Sequence, residues 1–248
     1  MKINHLDKQF QMKLLRAIKE FDLIKPKDKI LIGLSGGKDS AFLTYALSVI
    51  QKYCGLGFEI EAVTVDLGFS DKLNTNEIAK FCDELSVKFN LVKTHIADII
   101  KLNGEKNPCA KCAYFRRAAI NDFAVKNGFN KIALAHHQDD ASETLIMNIL
   151  YSGKIATFMP DTYLTRSNLH VIRPMIYLSE KEVIRGIKQI GYSAVKNPCI
   201  YTCNTARYKV KELIKNLNME NRAVKTNIAS VLRMKENMEL WPELKRKG

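Results

Sequence analysis

The clearest structural signal in this chain of 248 residues is the stretch Ile30-Leu31-Ile32-Gly33-Leu34-Ser35-Gly36-Gly37-Lys38-Asp39-Ser40. An apolar run typical of a buried strand meets a Ser-Gly-Gly turn, and a helical pattern begins directly after Asp39. Glycines in such a turn let backbone N–H groups approach an anion, and the N-terminus of the following helix adds a favourable dipole. The stretch therefore predicts a strand–loop–helix joint that binds phosphate.

Two common phosphate-binding loops do not match. A Walker A loop has four residues between its first Gly and the Gly-Lys pair, whereas three separate Gly33 from Gly37, and Asp39 follows Lys38. The dinucleotide pattern G-x-G-x-x-G is absent as well. The stretch instead resembles the PP-loop, Ser-Gly-Gly-x-Asp-Ser, of the ATP pyrophosphatases, which cleave ATP between the α- and β-phosphates and adenylate a carbonyl oxygen. The alternative is a glycine turn that only joins a strand to a helix.

Composition restricts the class of protein. Hydrophobic residues make up 46% of the chain, which is ordinary for a soluble domain with one sizeable core. We find neither a run of apolar residues that could span a bilayer nor a signal-peptide core in Met1 to Phe10, so we expect a cytoplasmic protein without membrane contact. In that compartment six cysteines favour metal binding or catalysis over disulfides. The net charge of +13 suits a nucleic acid, although a solvated basic surface would also produce it.

Strand and helix patterns alternate, which predicts βαβ units and a five-stranded parallel sheet flanked by helices. We predict strands at 30–34, 58–66, 91–96, 131–135 and 171–174, with polar loops at 98–111 and 161–168. Helices are predicted at 1–25 (ended by Pro26), 40–53, 74–89, 112–127, 141–151 and 179–190, with a basic helical remainder from Thr205. The predicted domains are an amphipathic helical N-terminal extension (1–28), the nucleotide domain (29–195), and a third-cysteine segment with a basic helical tail (196–248).

Loops at the carboxyl ends of parallel strands converge on one crevice. The predicted order of elements therefore gathers the Ser35–Ser40 loop, Asp66, the Cys109 loop and the stretch His136–Asp140 at one edge of the sheet. In that last stretch Asp139 or Asp140 would cap a helix. The functional interpretation is that a carboxylate there holds Mg²⁺ on the pyrophosphate, while the strand end contacts adenine.

The pair Cys109-x-x-Cys112 can hold a metal ion or a cluster, and a redox pair, half a zinc site or two cluster ligands all remain open. A third thiol would come from Cys199 or Cys203. Cys54 and Cys82 fit helical apolar positions and are interpreted as buried hydrophobes. Arg116 and Arg117 follow Cys112 by about one turn, so one of them can reach a phosphate or a charged intermediate, or both can belong to an RNA-binding surface.

With these motifs in order, the region from about Lys29 to Leu217 resembles the tRNA 2-thiocytidine synthetases, PP-loop enzymes with a Rossmann-like fold of the adenine nucleotide alpha hydrolase type. Further landmarks are Tyr151-Ser152-Gly153-Lys154, Ile172-Arg173-Pro174 and Pro198-Cys199. The resemblance implies that ATP and Mg²⁺ serve to adenylate the C2 oxygen of cytidine 32 in tRNA, after which sulfur displaces AMP. It also implies a [4Fe-4S] cluster on Cys109, Cys112 and Cys199, with one iron open to hydrosulfide.

The resemblance assigns the remaining site residues. Nucleotide binding is expected at Leu34, Ser35, Gly36, Gly37, Lys38, Asp39, Ser40, Val65, Ala135, His136 and Asp140. Catalytic roles are expected for Lys38, Asp39, Arg116 and Asp140. The expected partners are tRNA, a sulfur donor (a cysteine desulfurase or free sulfide) and a second copy of the chain in a homodimer. Basic residues of the N-terminal helix and of the C-terminal segment would contact the tRNA, the latter being Arg207, Lys209, Lys211, Lys215, Arg222 and Lys225.

The sequence departs from the family at two points. Cys199 and Cys203 are not spaced as C-x-x-C, so either can be the third ligand, and Ala135 replaces the usual Gly before His136. Other functions stay open. They are a cluster-free PP-loop ligase of the lysidine-synthetase type, a related sulfur-transfer or desulfuration enzyme, and a zinc-stabilised RNA-binding module without turnover.

Overall fold

The structure is a computed structural model, and it describes residues 6–69, 73–102, 108–195 and 205–233. The strands are β1 (Lys29–Gly33), β2 (Glu59–Asp66), β3 (Lys88–Lys93), β4 (Lys131–Ala133), β5 (Asp161–Leu164) and β6 (Leu169–Ile172). The helices are α1 (Lys8–Glu20), α2 (Lys38–Tyr53), α3 (Thr75–Leu85), α4 (Ile96–Leu102), α5 (Pro108–Lys126), α6 (Gln138–Ser152), α7 (Glu180–Ile190), α8 (Ala206–Glu220) and α9 (Val224–Val231). None of the described helices has the length and apolarity needed to cross a membrane.

The strands of the described part form one sheet in the order β3-β2-β1-β4-β6-β5. Strands β1, β2, β3, β4 and β6 pair in parallel, which confirms the predicted fold class and the five parallel strands. The sixth strand, β5, pairs antiparallel to β6 at the edge. It lies in the predicted loop 161–168, so that part of the prediction was wrong. Asn168, at a φ of 51°, helps close the hairpin and accepts a hydrogen bond from the Tyr163 hydroxyl.

Other boundaries differ from the predictions for local reasons. The predicted loop 98–111 overlaps most of α4 and the first turn of α5, because Ile96 and Ile100 bury one helix face and Pro108 suits a first helical position. Ile96 therefore starts a helix rather than ending the predicted strand 91–96. Helix α1 ends at Glu20 rather than at Pro26, since Asp22 takes a φ of 52°. Similarly, Ser86 ends α3 in a left-handed conformation, so β3 starts before the predicted residue.

Apolar side chains form one cluster on each face of the sheet. The larger cluster joins α1, α2, α3 and α7, and it confirms core packing for the apolar stripe of the N-terminal helix, of which Phe10, Leu14, Ala17 and Ile18 are buried. The smaller cluster lies under α4 and α5 and includes Leu31, Val63 and Val65 from the sheet. The sheet is therefore covered on both sides, as the nearly all-apolar β1 predicts.

Helices α2 and α7 approach each other closely at Gly186. A Cβ added to Gly186 would overlap Cε2 of Phe42, which is itself fully buried. The Phe42 ring meets the edge of Phe10, with 5.4 Å between ring centroids, and the Arg185 guanidinium covers Phe10 at 4.8 Å. The missing side chain at position 186 thus sets the distance between the two helices.

A capping box fixes the start of α7. The Ser179 hydroxyl accepts from the backbone N–H of Glu182, and the Glu182 carboxylate accepts from the backbone N–H of Ser179, as the sequence predicts. The Lys13 ammonium lies 2.7 Å from the same carboxylate. Burial raises the pKa of Glu182, but Lys13 and Ser179 together outweigh it, so the net pKa is lowered.

The fold separates into two compact units. Among the described residues, the first unit contains 6–138 and 158–195, and the second contains 139–157 and 205–233. The first unit holds the whole sheet and helices α1 to α5 and α7. The second holds nearly all of α6 together with α8 and α9.

Gly186→Ala should destabilise the protein by about 1–3 kcal/mol, because the added methyl group overlaps the Phe42 ring and this strain exceeds the gain in helix propensity. Urea unfolding followed by circular dichroism measures the change. Phe42→Leu removes the overlapping ring atoms, so the double variant should lose less stability than the sum of the two single variants. Additive losses would contradict this account of the contact.

Glu182→Gln should lower the free energy of unfolding at neutral pH, because the folded state lowers the pKa of Glu182 below its ordinary value of 4.5. That stabilisation is present above the unfolded-state pKa and is lost as the pH falls through the folded-state pKa. The difference between wild type and variant should therefore shrink below pH 4.5, which urea titrations across acid pH can measure. A difference independent of pH would show that charge is not its source.

Candidate active site

The PP-loop is organised by its two serines. The Ser40 hydroxyl lies 3.0 Å from the Ser35 hydroxyl, accepts from the Ser35 backbone N–H at 3.1 Å and donates to the Gly37 carbonyl at 3.1 Å. Ser40 is buried, whereas Ser35 is exposed. These hydrogen bonds hold the turn in one conformation, so the two serines have a structural role in addition to any contact with a ligand.

The Gly36 carbonyl is held by residues that follow α7, more than 150 positions later in the chain. Its carbonyl accepts from the Val195 backbone N–H at 2.9 Å and from the Tyr192 hydroxyl at 3.0 Å. Its φ of 79° favours glycine, and an added Cβ would lie 3.0 Å from Ile78. Burial raises the pKa of Tyr192 to about 12, so its hydroxyl stays protonated and donates at neutral pH.

Helix α2 begins on the loop with Gly37 as its N-cap residue, and no side chain of the described residues caps it. The backbone N–H groups of its first turn can therefore donate to another acceptor. The helix dipole adds positive potential at the same place. This arrangement fits a bound phosphate group, as the sequence predicts.

Lys38 lies between two carboxylates. Its ammonium is 2.9 Å from Asp39 and 3.3 Å from Glu180, the first residue of α7. Burial lowers the pKa of Lys38, but the hydrogen bonds and charges of Asp39 and Glu180 outweigh it, so the net pKa is raised. Lys38 therefore remains a cation at the mouth of the loop.

The end of β4 contributes a histidine to this group. The Nε2 atom of His137 lies 3.9 Å from Asp39, and the His137 side chain is only 5% exposed. The neighbouring His136 packs its ring on Phe158, with 4.8 Å between ring centroids, and its contact with a nucleotide stays a prediction. A hydrogen bond from the Gln138 backbone N–H to the Leu178 carbonyl ties this segment to the start of α7.

The predicted adenine side lies on β1 and β2. Leu34 is buried, its backbone N–H donates to the Val63 carbonyl, and its carbonyl accepts from the Thr64 hydroxyl at 2.6 Å. Val65 follows Thr64 on β2 and is buried near the carboxyl end of that strand. Ala135 is half-buried at the end of β4. These residues share the carboxyl edge of the sheet, while their contact with adenine stays a prediction.

Cys109 and Cys112 lie in the first turn of α5, three residues apart on one helix face. Cys109 is exposed, and Cys112 is half-buried against the cluster that contains Val63 and Val65. The C-terminal end of α5 leads into the start of β4. The first turn of α5 is about 28 Å from that end of the helix, so it lies towards the carboxyl edge of the sheet. Two thiolates so spaced fit a soft metal centre or a cluster.

The other predicted cysteines and arginines lie partly outside the described residues and partly on exposed or buried helix faces. Cys199 and Cys203 lie outside the described residues. Arg116 is exposed on α5, one turn beyond Cys112. Arg117 is exposed too, and its side chain donates to the Ala113 carbonyl of the same helix at 3.1 Å. Cys82 is buried, as predicted, whereas Cys54 is only half-buried.

In the second unit, the acidic start of α6 is paired with the two C-terminal helices. The Asp140 carboxylate lies 3.2 Å from Arg207 of α8, and the Asp139 carboxylate lies 2.7 Å from Lys225 of α9. Arg207 also donates to the Thr144 hydroxyl at 3.0 Å. Two of the cations that the sequence assigns to tRNA thus contact carboxylates. The predicted role of Asp140 as a Mg²⁺ ligand stays a prediction.

Sequence reasoning missed three residues of the site. Glu180 follows a strong capping signal after the last parallel strand, and helices that follow parallel strands begin at the carboxyl edge, so this rule could have located it. His137 was within a recognised motif, but the neighbouring His136 was chosen. For Tyr192, 152 positions beyond Ser40, no local signal exists, since its contact depends on the path of the chain after α7.

Comparison with known families gives a specific match. The family model of the PP-loop domain matches residues 6–228. The tRNA-cytidine(32) 2-sulfurtransferase of Legionella pneumophila (strain Corby) is 35% identical over 235 residues, covering 92% of this chain and 81% of the relative. The enzyme of the same name from Geobacter sulfurreducens is 33% identical over 222 residues, covering 88% of this chain and 86% of the relative.

Solved structures support the fold. The U34-tRNA thiolase NcsA from Methanococcus maripaludis, solved with its [4Fe-4S] cluster, superposes with a TM-score of 0.74 at 24% identity, over 94% of this chain and 79% of that one. The NH3-dependent NAD synthetase from Campylobacter jejuni superposes with a TM-score of 0.52 at 19% identity, over 97% of this chain and 99% of that one. The sheet with its flanking helices is therefore shared with enzymes of different activity.

Tyr192→Phe should weaken the binding of inorganic pyrophosphate about twofold to tenfold, because the Gly36 carbonyl loses one of its two donors and the loop is held less firmly. Isothermal titration measures the affinity. Tyr177→Phe is the matched control, since the Tyr177 hydroxyl donates to Glu20 on α1. Unchanged pyrophosphate affinity in Tyr192→Phe would show that Val195 alone fixes the loop.

Proposed function

Because this chain belongs to the PP-loop family of tRNA-cytidine(32) 2-sulfurtransferases, we propose that it is an ATP-dependent enzyme that replaces the C2 oxygen of a tRNA cytidine, at position 32, by sulfur. The observation that carries this proposal is the pairing of two half-sites in one compact unit. A preorganised phosphate loop and two thiols one turn apart both belong to the first unit, towards the carboxyl edge of its sheet.

The phosphate loop performs the ATP half of the reaction. The N–H groups at the start of α2 bind the pyrophosphate portion of ATP, and Lys38 neutralises charge on it. The C2 oxygen of cytidine attacks the α-phosphorus, and pyrophosphate leaves. This step is needed because oxygen is a poor leaving group from a pyrimidine ring, whereas AMP is a good one. Asp39 is our candidate for holding Mg²⁺ beside the phosphates.

The cysteines perform the sulfur half. We assign Cys109, Cys112 and Cys199 as ligands of a [4Fe-4S] cluster, with Cys203 as the alternative third ligand. Cys199 is the nearer of the two along the chain to Val195, which binds the PP-loop. The cluster, when bound, supplies a soft iron centre for a sulfur ligand. Sulfide then attacks C2 and AMP departs with the original oxygen.

We propose a role for Arg116 near the thiols. It lies one helical turn beyond Cys112 and is exposed, so a guanidinium at this position can approach negative charge held at the start of α5. We propose that it stabilises the charged adenylate during sulfur attack.

The tRNA is proposed to bind to exposed cations outside the phosphate loop. Lys8 and Lys19 line the outer face of α1, and Lys209 and Arg222 are exposed in the C-terminal helical region. The net charge of +13 favours such a polyanion. We propose further that the protein works in the cytoplasm as a homodimer, and that its sulfur comes from a cysteine desulfurase or from free sulfide.

Cys109→Ser should abolish cluster binding and tRNA thiolation together, because it leaves only two of the three thiolate ligands of the cluster. Wild-type protein reconstituted anaerobically should hold about four iron and four sulfide ions per chain and should convert cytidine 32 with ATP and sulfide. Absorption spectra, iron counts and mass analysis of tRNA nucleosides measure these outcomes. Comparing Cys199→Ser with Cys203→Ser identifies the third ligand.

Cys54→Ser is the matched control for this experiment. Cys54 lies at the end of α2, where its sulfur accepts from the Gln11 amide at 3.4 Å, and serine can replace it as an acceptor. This variant should keep both iron and activity. If Cys109→Ser retains full ATP-dependent modification of tRNA, the protein is a cluster-free ligase. Zinc bound without pyrophosphate release would instead indicate an RNA-binding module.

A further inference from the structure

The Lys38 ammonium at the PP-loop is already in contact with carboxylates. Among the described residues, the carboxylates of Asp39 and Glu180 both lie within 3.3 Å of the Lys38 ammonium, so this cation already has two anionic partners. The α2 N-terminus offers only the partial charge of its dipole. A pyrophosphate group arriving here must compete for Lys38 with a carboxylate that is already in contact with it.

Glu180 is held where this competition takes place. It is the first residue of α7, between Ser179 and Glu182 of the capping box, and its side chain is 19% exposed. The contact of Gly186 with Phe42 sets the separation of α7 from α2, and the bond from Gln138 to Leu178 fixes the approach to α7. Packed helices, rather than a mobile loop, therefore hold Glu180 in contact with Lys38.

We propose that Glu180 is a positioning residue that acts through Lys38, as the counter-ion which the pyrophosphate portion of the nucleotide displaces. Without a ligand, Glu180 and Asp39 hold the Lys38 ammonium at the loop. When phosphate binds, Lys38 transfers to it and Glu180 loses this partner. Glu180 thus lowers the affinity of the loop for pyrophosphate, which aids release of that product.

The test uses inorganic pyrophosphate as the probe and the full-length protein. Glu180→Gln keeps the shape of the side chain and removes its charge, so pyrophosphate should bind about threefold to tenfold more tightly. The gain should be larger without Mg²⁺ and smaller in high salt, because it is electrostatic. Lys38→Gln should remove at least half of the gain in a double-variant cycle. A merely structural role for Glu180 would weaken binding instead.

Glu84→Gln is the matched control, since it makes the same change in net charge at an exposed position of α3. It should leave pyrophosphate affinity unchanged, and thermal unfolding should show that both variants are folded. Unchanged or weaker pyrophosphate binding by Glu180→Gln overturns the proposal. Weaker binding only in the presence of Mg²⁺ also overturns it and identifies Glu180 as a metal ligand.

This inference rests on the proposed use of ATP at the PP-loop but not on thiolation. Pyrophosphate binding is measured without tRNA, iron or sulfide, so the two proposals can fail separately. Tight pyrophosphate binding by a protein that does not thiolate tRNA would leave the role of Glu180 intact. Absence of any pyrophosphate binding by the wild type would overturn both.

Discussion

The close approach of α2 and α7, which a glycine at position 186 permits, is the contact on which the phosphate site depends. Helix α2 presents its open N-terminus and Lys38, and α7 presents Glu180. The chain that follows α7 returns to the loop through Tyr192 and Val195. A side chain at position 186 would separate the helices and change these relations together. Packing in the core thus sets the electrostatics at the surface.

Local sequence predicted the parts of the site that local physics determines. Glycines and a buried apolar run specify the strand–loop–helix joint around Gly36, and a three-residue spacing places Cys109 and Cys112 on one helix face. The edge strand β5 was missed because four residues with a mixed pattern carry too little periodicity to identify a strand. Tyr192 was missed for a different reason, since its hydrogen bond exists only once the chain has folded.

The second unit shows how one motif can serve two purposes. Asp139 and Asp140 open α6, where a helix N-terminus favours negative charge, and each pairs with a cation from a different C-terminal helix. These ion pairs order α8 and α9 relative to α6 whatever else the carboxylates do. A variant at Asp140 would therefore change both the packing of this unit and any metal contact. Arg207 variants provide the means to separate the two effects.

The peptide bond between Gly36 and Gly37 carries a last consequence. In a trans peptide the carbonyl and the N–H point in opposite directions, so two donors on the Gly36 carbonyl also fix where the Gly37 N–H points. The loop then has little conformational entropy to lose when an anion arrives. We expect pyrophosphate association to behave as rigid docking, with a rate limited by diffusion and charge rather than by loop closure.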